Sequence, residues 1–266
     1  MLKQRIITGS LLAILALIIL FFLPVAYFMV ITALIVLLGA WEWSFLAGLI
    51  EFRTRIIYLI LMLGAMIGSF FLPVLLVLII ASLWWLIAGY LVVKYPATKV
   101  YLTRRWVRMI MGFLVLVPCW LTLSILKASN QGIGLLLFLL CLVWAADIGA
   151  YFAGKWWGKD KLIPNVSPGK TWQGLFGGLI FSFFVAVLGL IFLKIDFTNW
   201  FLIFCAVILL NIFAVIGDLF ESMLKRYCQL KDSGNILPGH GGILDRIDSL
   251  TAAAPIFLLG IMLHLL

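Results

Sequence analysis

The chain has 266 residues, of which 66 % are hydrophobic and 11 % charged, with a net charge of +9 and a mean hydropathy of +1.26. A soluble domain carries roughly 25 % charged residues, so this chain is built for a solvent other than water. Its apolar runs are long and unbroken, which excludes the alternation of a membrane β-barrel and leaves helices whose backbone groups pair internally.

A bilayer core of about 30 Å asks for about 20 apolar residues per crossing. Taken in chain order, nine spans are predicted, at 6–22, 25–47, 56–71, 74–93, 109–126, 133–153, 173–193, 200–220 and 249–265. The fold class expected is therefore an all-α polytopic membrane protein. Lys3 and Arg5 precede the first run like the start of a signal peptide. The residues that follow it, Phe21, Phe22, Leu23 and Pro24, offer no small-residue cleavage site, so it reads as a retained span. Pro24, the stretch 53–55, Leu72-Pro73 and Asn130 to Gly132 punctuate the runs with turn chemistry or charge. Cys119, Cys141, Cys205 and Cys228 show no paired spacing and read as packing residues. Five spans over 1–126 form an N-terminal region. Residues 127–266 form the region expected to carry chemistry, with cytoplasmic loops at 154–173 and 221–248.

Orientation follows from the bases. With the N-terminus in the cytoplasm, seventeen of the nineteen Lys and Arg residues fall inside and only Lys127 and Lys194 outside. That bias predicts an N-in, C-out topology. It also concentrates the positive charge on one face, where anionic headgroups attract it by about 1 kcal/mol per base.

Acids inside apolar helices are costly unless paired, so they mark candidate functional positions. Asp147 and Asp218 lie at the inner ends of their spans, and Glu42 lies in the inner part of the second, between Trp41 and Trp43. For Glu42 a structural pairing with a neighbouring helix is weighed equally. The sixth loop holds Ser167-Pro168-Gly169-Lys170-Thr171, whose glycine, hydroxyls and lysine suit an anion, although the P-loop spacing is absent. Gly174 and Gly178, four apart, read as a close helix contact.

The segment 218–248 carries more. Asp218, Ser222 and Lys225 share one helical face, and Asn211 extends that stripe into the membrane. Arg226, Lys231 and Asp232 follow, and then the turn Pro238-Gly239-His240-Gly241-Gly242. It delivers Asp245, Arg246 and Asp248, the two acids three residues apart and on one face if helical. Paired carboxylates with a third from Asp218 suit a hard cation such as Mg²⁺, and the neighbouring bases suit phosphates. Together they point to phosphoryl or nucleotidyl transfer, against a plain network of surface ion pairs. A transporter would instead spread polar residues across the bilayer depth.

The 27-residue run from Ser222 to Asp248, with Lys225-Arg226, Lys231-Asp232, Gly234, Leu237-Pro238-Gly239-His240-Gly241-Gly242 and Asp245-Arg246-Ile247-Asp248, resembles the signature of the CDP-diacylglycerol synthases, or phosphatidate cytidylyltransferases. Asp147, Gly149, Tyr151 and Gly154, then Ser167 to Trp172, are similar to the family as well. Many members carry a second lysine where Gly169 stands and an acid where Gln173 stands.

The resemblance implies Mg²⁺-dependent cytidylyl transfer from CTP to phosphatidate for phospholipid biosynthesis, releasing pyrophosphate, with room for a second cation. It assigns Asp218, Asp245 and Asp248 to metal, and Lys225, Arg226, Lys231 and Arg246 to phosphates. Ser167, Lys170, Thr171, Ser222, His240, Gly241 and Gly242 are expected to contact substrate, with Asp147 in support. The expected partners are CTP, phosphatidate and anionic membrane lipids. No nucleic acid is expected, a homodimer is suggested, and the location implied is a bacterial inner membrane. A lipid-alcohol kinase is the nearest alternative, separated by its products.

Overall fold

The computed structural model describes residues 2–193 and 200–263, with the backbone alone for residues 2–6, 193 and 200. The side chains of Lys3, Arg5 and Lys194 and the end of the ninth expected span at 264–265 thus lie outside the described residues. The elements in order are α1 (Leu2–Phe22), α2 (Val25–Leu46), α3 (Phe52–Ser69), α4 (Val74–Val93), a single turn α5 (Lys99–Leu102), α6 (Arg105–Ala128) and α7 (Gly132–Trp157). Two short strands follow, β1 (Lys161–Ile163) and β2 (Ser167–Thr171), then α8 (Trp172–Leu193), α9 (Trp200–Tyr227) and α10 (Leu244–Met262).

Every apolar run expected to span a membrane is a helix. Among the described residues, seven helices are long and apolar enough to cross one: α2, α3, α4, α6, α7, α8 and α9. The apolar part of α1, Ile7–Phe22, is shorter, and α10 begins with Asp245, Arg246 and Asp248. Both nevertheless run the length of the bundle. Thr8 bonds His240 at one end of α1, while Leu20 O accepts from Lys127 Nζ at the other. In α10, Leu244 N is bonded to Glu42, and Phe257 meets Phe138 near the start of α7, ring centroids 5.9 Å apart.

Two apolar clusters fill the interior. One joins the C-terminal half of α2 to α4, α6 and α9 around Phe220, which Trp43, Trp84 and Trp85 surround at centroid distances of 6.2, 5.5 and 6.0 Å. The other joins the N-terminal halves of α2 and α7 to α8 and α10. In hydrocarbon such packing rests on close backbone approach and interhelical hydrogen bonds rather than on water exclusion. Asn211 Nδ2 donates to Ser182 Oγ at 3.0 Å, and Ser182 Oγ to Leu142 O at 3.2 Å, tying α9, α8 and α7 together.

Glycine sets the helix spacing. A Cβ on Gly149 would stand 2.7 Å from Gly177 O, and one on Gly178 2.7 Å from Ala146 O, so α7 and α8 touch backbone to backbone. Likewise a Cβ on Gly217 would stand 2.5 Å from Asp248 O, so this glycine lets α10 close onto α9 beside Asp218.

Three features go beyond the apolar pattern. α9 continues to Tyr227 because Glu221-Ser222-Met223-Leu224-Lys225-Arg226 contains good helix formers and an i,i+4 acid–base pair. α5 is a short turn between basic residues. The segment after α7, expected as a cytoplasmic loop, holds a β-hairpin pairing Lys161 with Thr171 and Ile163 with Ser167 around the buried Val166.

Gly178→Ala is expected to force α7 and α8 apart and to cost about 1–3 kcal/mol. Gly64→Ala, where a Cβ meets nothing within 4 Å, is the control. Thermal aggregation in detergent should occur earlier in the first variant and not in the second.

Candidate active site

The polar groups gather at one end of the bundle, where α2, α7 and α9 end and α8 and α10 begin. The β-hairpin covers that end and is held from both sides. Arg226 Nε donates to Val166 O at 3.2 Å, and Gln173 Oε1 accepts from Lys159 N and Asp160 N at 3.1 and 3.2 Å. Gln173 Nε2 donates in turn to Asp160 Oδ2 at 2.7 Å. Gln173 thus closes the base of the hairpin. Gly169, in the middle of β2, faces open space, and a Cβ there meets nothing within 4 Å. Thr171 Oγ1 accepts from Gly174 N at 3.1 Å and caps α8.

Lys170 reaches from the hairpin to Asp218, with Nζ 2.7 Å from Oδ2. Asp218 also accepts from Ser222 Oγ at 3.3 Å, one turn on along α9. One turn further, Lys225 lies between Glu221 at 3.1 Å and Asp245 at 2.5 Å. Lys225 is 8 % exposed and Glu221 2 %. Neither Glu221 oxygen has an aligned hydrogen bond, so the Lys225 ammonium is its compensation among the described residues.

Asp245 is the most heavily bonded acid of the signature. Its Oδ2 accepts from Ser233 N at 2.9 Å, Ser233 Oγ at 2.9 Å and Gly242 N at 2.8 Å, while Oδ1 faces Lys225. It stands in the first turn of α10, outside the apolar spans. Burial there favours the neutral acid, but the bonds from Lys225, Gly242 and Ser233 outweigh it and hold the carboxyl below its usual range. Asp248 accepts from Ser249 N at 2.7 Å and lies in the electrostatic field of Asp218, Asp147 and Lys225. The two acids three residues apart therefore differ in surroundings: Asp245 belongs to the loop, Asp248 to the group containing Asp218 and Asp147. Arg246 is exposed and adds its charge near Asp147.

The turn is shaped by its glycines. Gly239 and Gly241 have φ of 77° and 79°, which L-residues rarely adopt. Leu237 N donates to Gly241 O, and a Cβ on Gly241 would stand 2.6 Å from Asp245 Oδ2. His240 is turned toward α1 and bonded to Thr8 Oγ1. Arg226 is committed to backbone carbonyls, while Lys231 and Asp232 are exposed. Lys231 lines a cavity of about 420 Å³ together with Trp41, Glu42, Arg55 and Asn235. Ser167 is half-buried on β2.

Three members of this arrangement were not assigned to the site from the sequence. Glu221 is the i−4 partner of Lys225, a spacing that is visible in the sequence. Ser233 carries no local signal and is found only by its bonds to Asp245 and Glu42. Glu42 arrives from the second helix, and its side chain accepts from the first turn of α10.

Among the described residues, no three His, Cys, Asp or Glu side chains converge as a ready metal-ligating group. The donor chemistry fits a hard cation all the same. Asp147, Asp218 and Asp248 are all-oxygen donors in one another's field, and a divalent ion relieves that repulsion.

A phosphatidate cytidylyltransferase of Pseudomonas aeruginosa is 45 % identical over 259 residues, covering 97 % of this chain and 96 % of that protein. One of Haemophilus influenzae is 38 % identical over 286 residues, covering 97 % of each. One of Staphylococcus saprophyticus is 45 % identical over 130 residues, about half of either chain. The cytidylyltransferase family profile matches residues 3–264. From that match, which takes in the hairpin, the aspartates and the glycine turn, the chain belongs to the cytidylyltransferase family.

Proposed function

We propose that the chain transfers a cytidylyl group from CTP to phosphatidate, giving CDP-diacylglycerol and pyrophosphate for phospholipid synthesis. The observation that carries this reading is the near full-length identity to proteins named phosphatidate cytidylyltransferase. Its chemistry agrees with the site. One substrate is held in a bilayer and the other is a soluble polyanion, so their meeting place must lie at the end of a helix bundle and be rich in bases. Lys170, Lys225 and Arg246 lie in the field of Asp218 and Asp147 at such a place, with Lys231 exposed on the loop beyond.

In the reaction, a phosphate oxygen of phosphatidate forms a bond to the α-phosphorus of CTP, and the bond to the β-phosphate oxygen breaks as pyrophosphate leaves. A phosphate monoester is largely ionised near neutral pH, with a second pKa of about 6, so no general base is required. The protein's task is to align the two phosphates and to offset their repulsion. Lys170 and Lys225, now paired with Asp218, Glu221 and Asp245, bring positive charge to incoming phosphates. We give Ser167, on the hairpin that Arg226 holds, and Ser222, on α9, the role of donating hydrogen bonds to phosphate. Gly241 and Gly242 were expected to contact substrate; the Asp245 and Glu42 carboxylates fill the space beside them, and we give these glycines the role of shaping the loop.

We assign a Mg²⁺ ion to Asp218 and Asp248, with Asp147 in support. Asp245 was expected as a ligand too, but it holds Ser233, Gly242 and Lys225, and we give it the role of anchoring that loop. When bound, the ion neutralises phosphate charge. We place the site on the cytoplasmic face of a bacterial inner membrane, with all nine long helices crossing, because the basic residues then lie on the site's side. A second cation and a homodimer remain proposals that rest on the family resemblance.

With purified protein, α-labelled CTP and phosphatidate, label is expected in a lipid-soluble nucleotide with equimolar pyrophosphate. EDTA should abolish it and Mg²⁺ restore it, whereas a nucleoside diphosphate with a lipid phosphate as products would make the chain a kinase. Asp218→Asn and Asp248→Asn should each lower kcat on the order of 100-fold. His240→Ala should lose less than the roughly 100-fold minimum that removing a general base costs.

A further inference from the structure

Glu42 sits in the last turn of α2, where an acid faces the negative end of the helix dipole, and it is 3 % exposed. A carboxylate is stable there only with strong donors around it, and the donors come from 200 residues away in the chain. Ile243 N donates to Oε1 at 3.0 Å and Leu244 N to Oε2 at 2.8 Å. These are orphan N–H groups at the start of α10, at the positive end of its dipole. Ser233 Oγ approaches Oε2 at 3.0 Å as a third donor. All three partners can donate, which matches a carboxylate and mismatches an amide.

The loop is shaped around this carboxylate. A Cβ on Gly234 would stand 2.4 Å from Glu42 Oε1, and one on Gly242 would stand 2.4 and 2.5 Å from its two oxygens. Both glycines therefore leave the space that Glu42 fills. Ser233 continues the connection, since its N–H and hydroxyl both reach Asp245 Oδ2 at 2.9 Å. Its single hydroxyl proton serves Glu42 or Asp245 at any moment, while its N–H stays with Asp245. Asp245 in turn holds Lys225. A continuous line of bonds thus runs from α2 through the loop to the lysine on α9.

We propose that Glu42 is a positioning residue for cytidylyl transfer: it latches the loop 232–243 and the first turn of α10 to α2, and through Ser233 and Asp245 it sets Lys225. Its hydrogen bonds among the described residues go to Ser233, Ile243 and Leu244, and it acts on the reaction through these groups. The proposal rests on the function given above.

The test uses the full chain in detergent and two readouts, steady-state kinetics with CTP and phosphatidate, and amide hydrogen exchange by mass spectrometry. Glu42→Gln keeps the size of the side chain and replaces one acceptor oxygen with a donor. The expected result is a kcat lower by about 10–100-fold with KM for CTP little changed. Exchange should become faster in peptides from 232–246 and stay slow in α2 and α6. Glu42→Asp, which keeps two acceptor oxygens on a shorter arm, should recover part of kcat.

Faster exchange in the loop with wild-type kcat would overturn the proposal, as would loss of protection spread through α2 and α6, or no change in either readout. If Glu42→Gln does not fold, Ser233→Ala decides. Looser exchange at 232–246 with reduced kcat supports the latch, and wild-type behaviour removes it. A wild-type chain that makes no liponucleotide defeats the proposed function instead, and the exchange result still reports whether Glu42 holds the loop.

Discussion

Lys225 lies almost out of solvent between two carboxylates, and the rest of the site is arranged around that neutralisation. A charge at the end of an apolar bundle is tolerated when it is paired and hydrogen-bonded, and is costly otherwise. Glu221 supplies one partner from the same helix, and Asp245 supplies the other from α10. Each partner comes from a different helix, so keeping the lysine between both requires α9 and α10 to be held in one register. Gly217 makes that possible by letting the backbone of α10 at Asp248 come within van der Waals contact of α9.

From that pair the arrangement extends in two directions. Toward α2, Asp245 holds Ser233, and Ser233 meets Glu42, whose carboxylate closes the N-terminus of α10. Toward the hairpin, Asp218 holds Lys170, while Arg226 grips Val166 O. The bonded network therefore joins helix ends from both halves of the chain. The hydrophobic side of the same helices does the complementary work. Phe220 sits one residue before Glu221 and is locked among Trp43, Trp84 and Trp85, so the acid's position on α9 is set by aromatic packing behind it.

Reading the apolar runs located every long helix, because hydrocarbon leaves the backbone no other way to satisfy itself. The ends were less legible. The span was expected to end near 220 with Ser222 and Lys225 on a helical extension beyond it; α9 continues to Tyr227, since helix propensity and the Glu221–Lys225 pair carry it past the apolar stretch. The hairpin at 161–171 was hidden because three- and five-residue strands with Pro168 and Gly169 carry no alternating pattern. Gly174 and Gly178 were read as a close contact, and they are one.

For the site, the types of residue were legible and their partners were not. The 218–248 segment announced acids, bases and a glycine turn, and spacing alone placed Asp218, Ser222 and Lys225 on one face, because a helix repeats every 3.6 residues. Spacing also paired Asp245 with Asp248, yet the two have different surroundings, since the loop that wraps Asp245 comes from residues 233 and 242 rather than from the helix. Ser233 and Glu42 show the limit most clearly. Their meeting spans 191 residues of sequence, and no local pattern encodes it. The sequence by itself determined a helical membrane bundle with its chemistry at one end, through hydropathy, charge bias and motif. Tertiary packing alone decided which carboxylate holds which base, because those partners are brought together only when separate helices close to backbone contact at Gly149, Gly178 and Gly217.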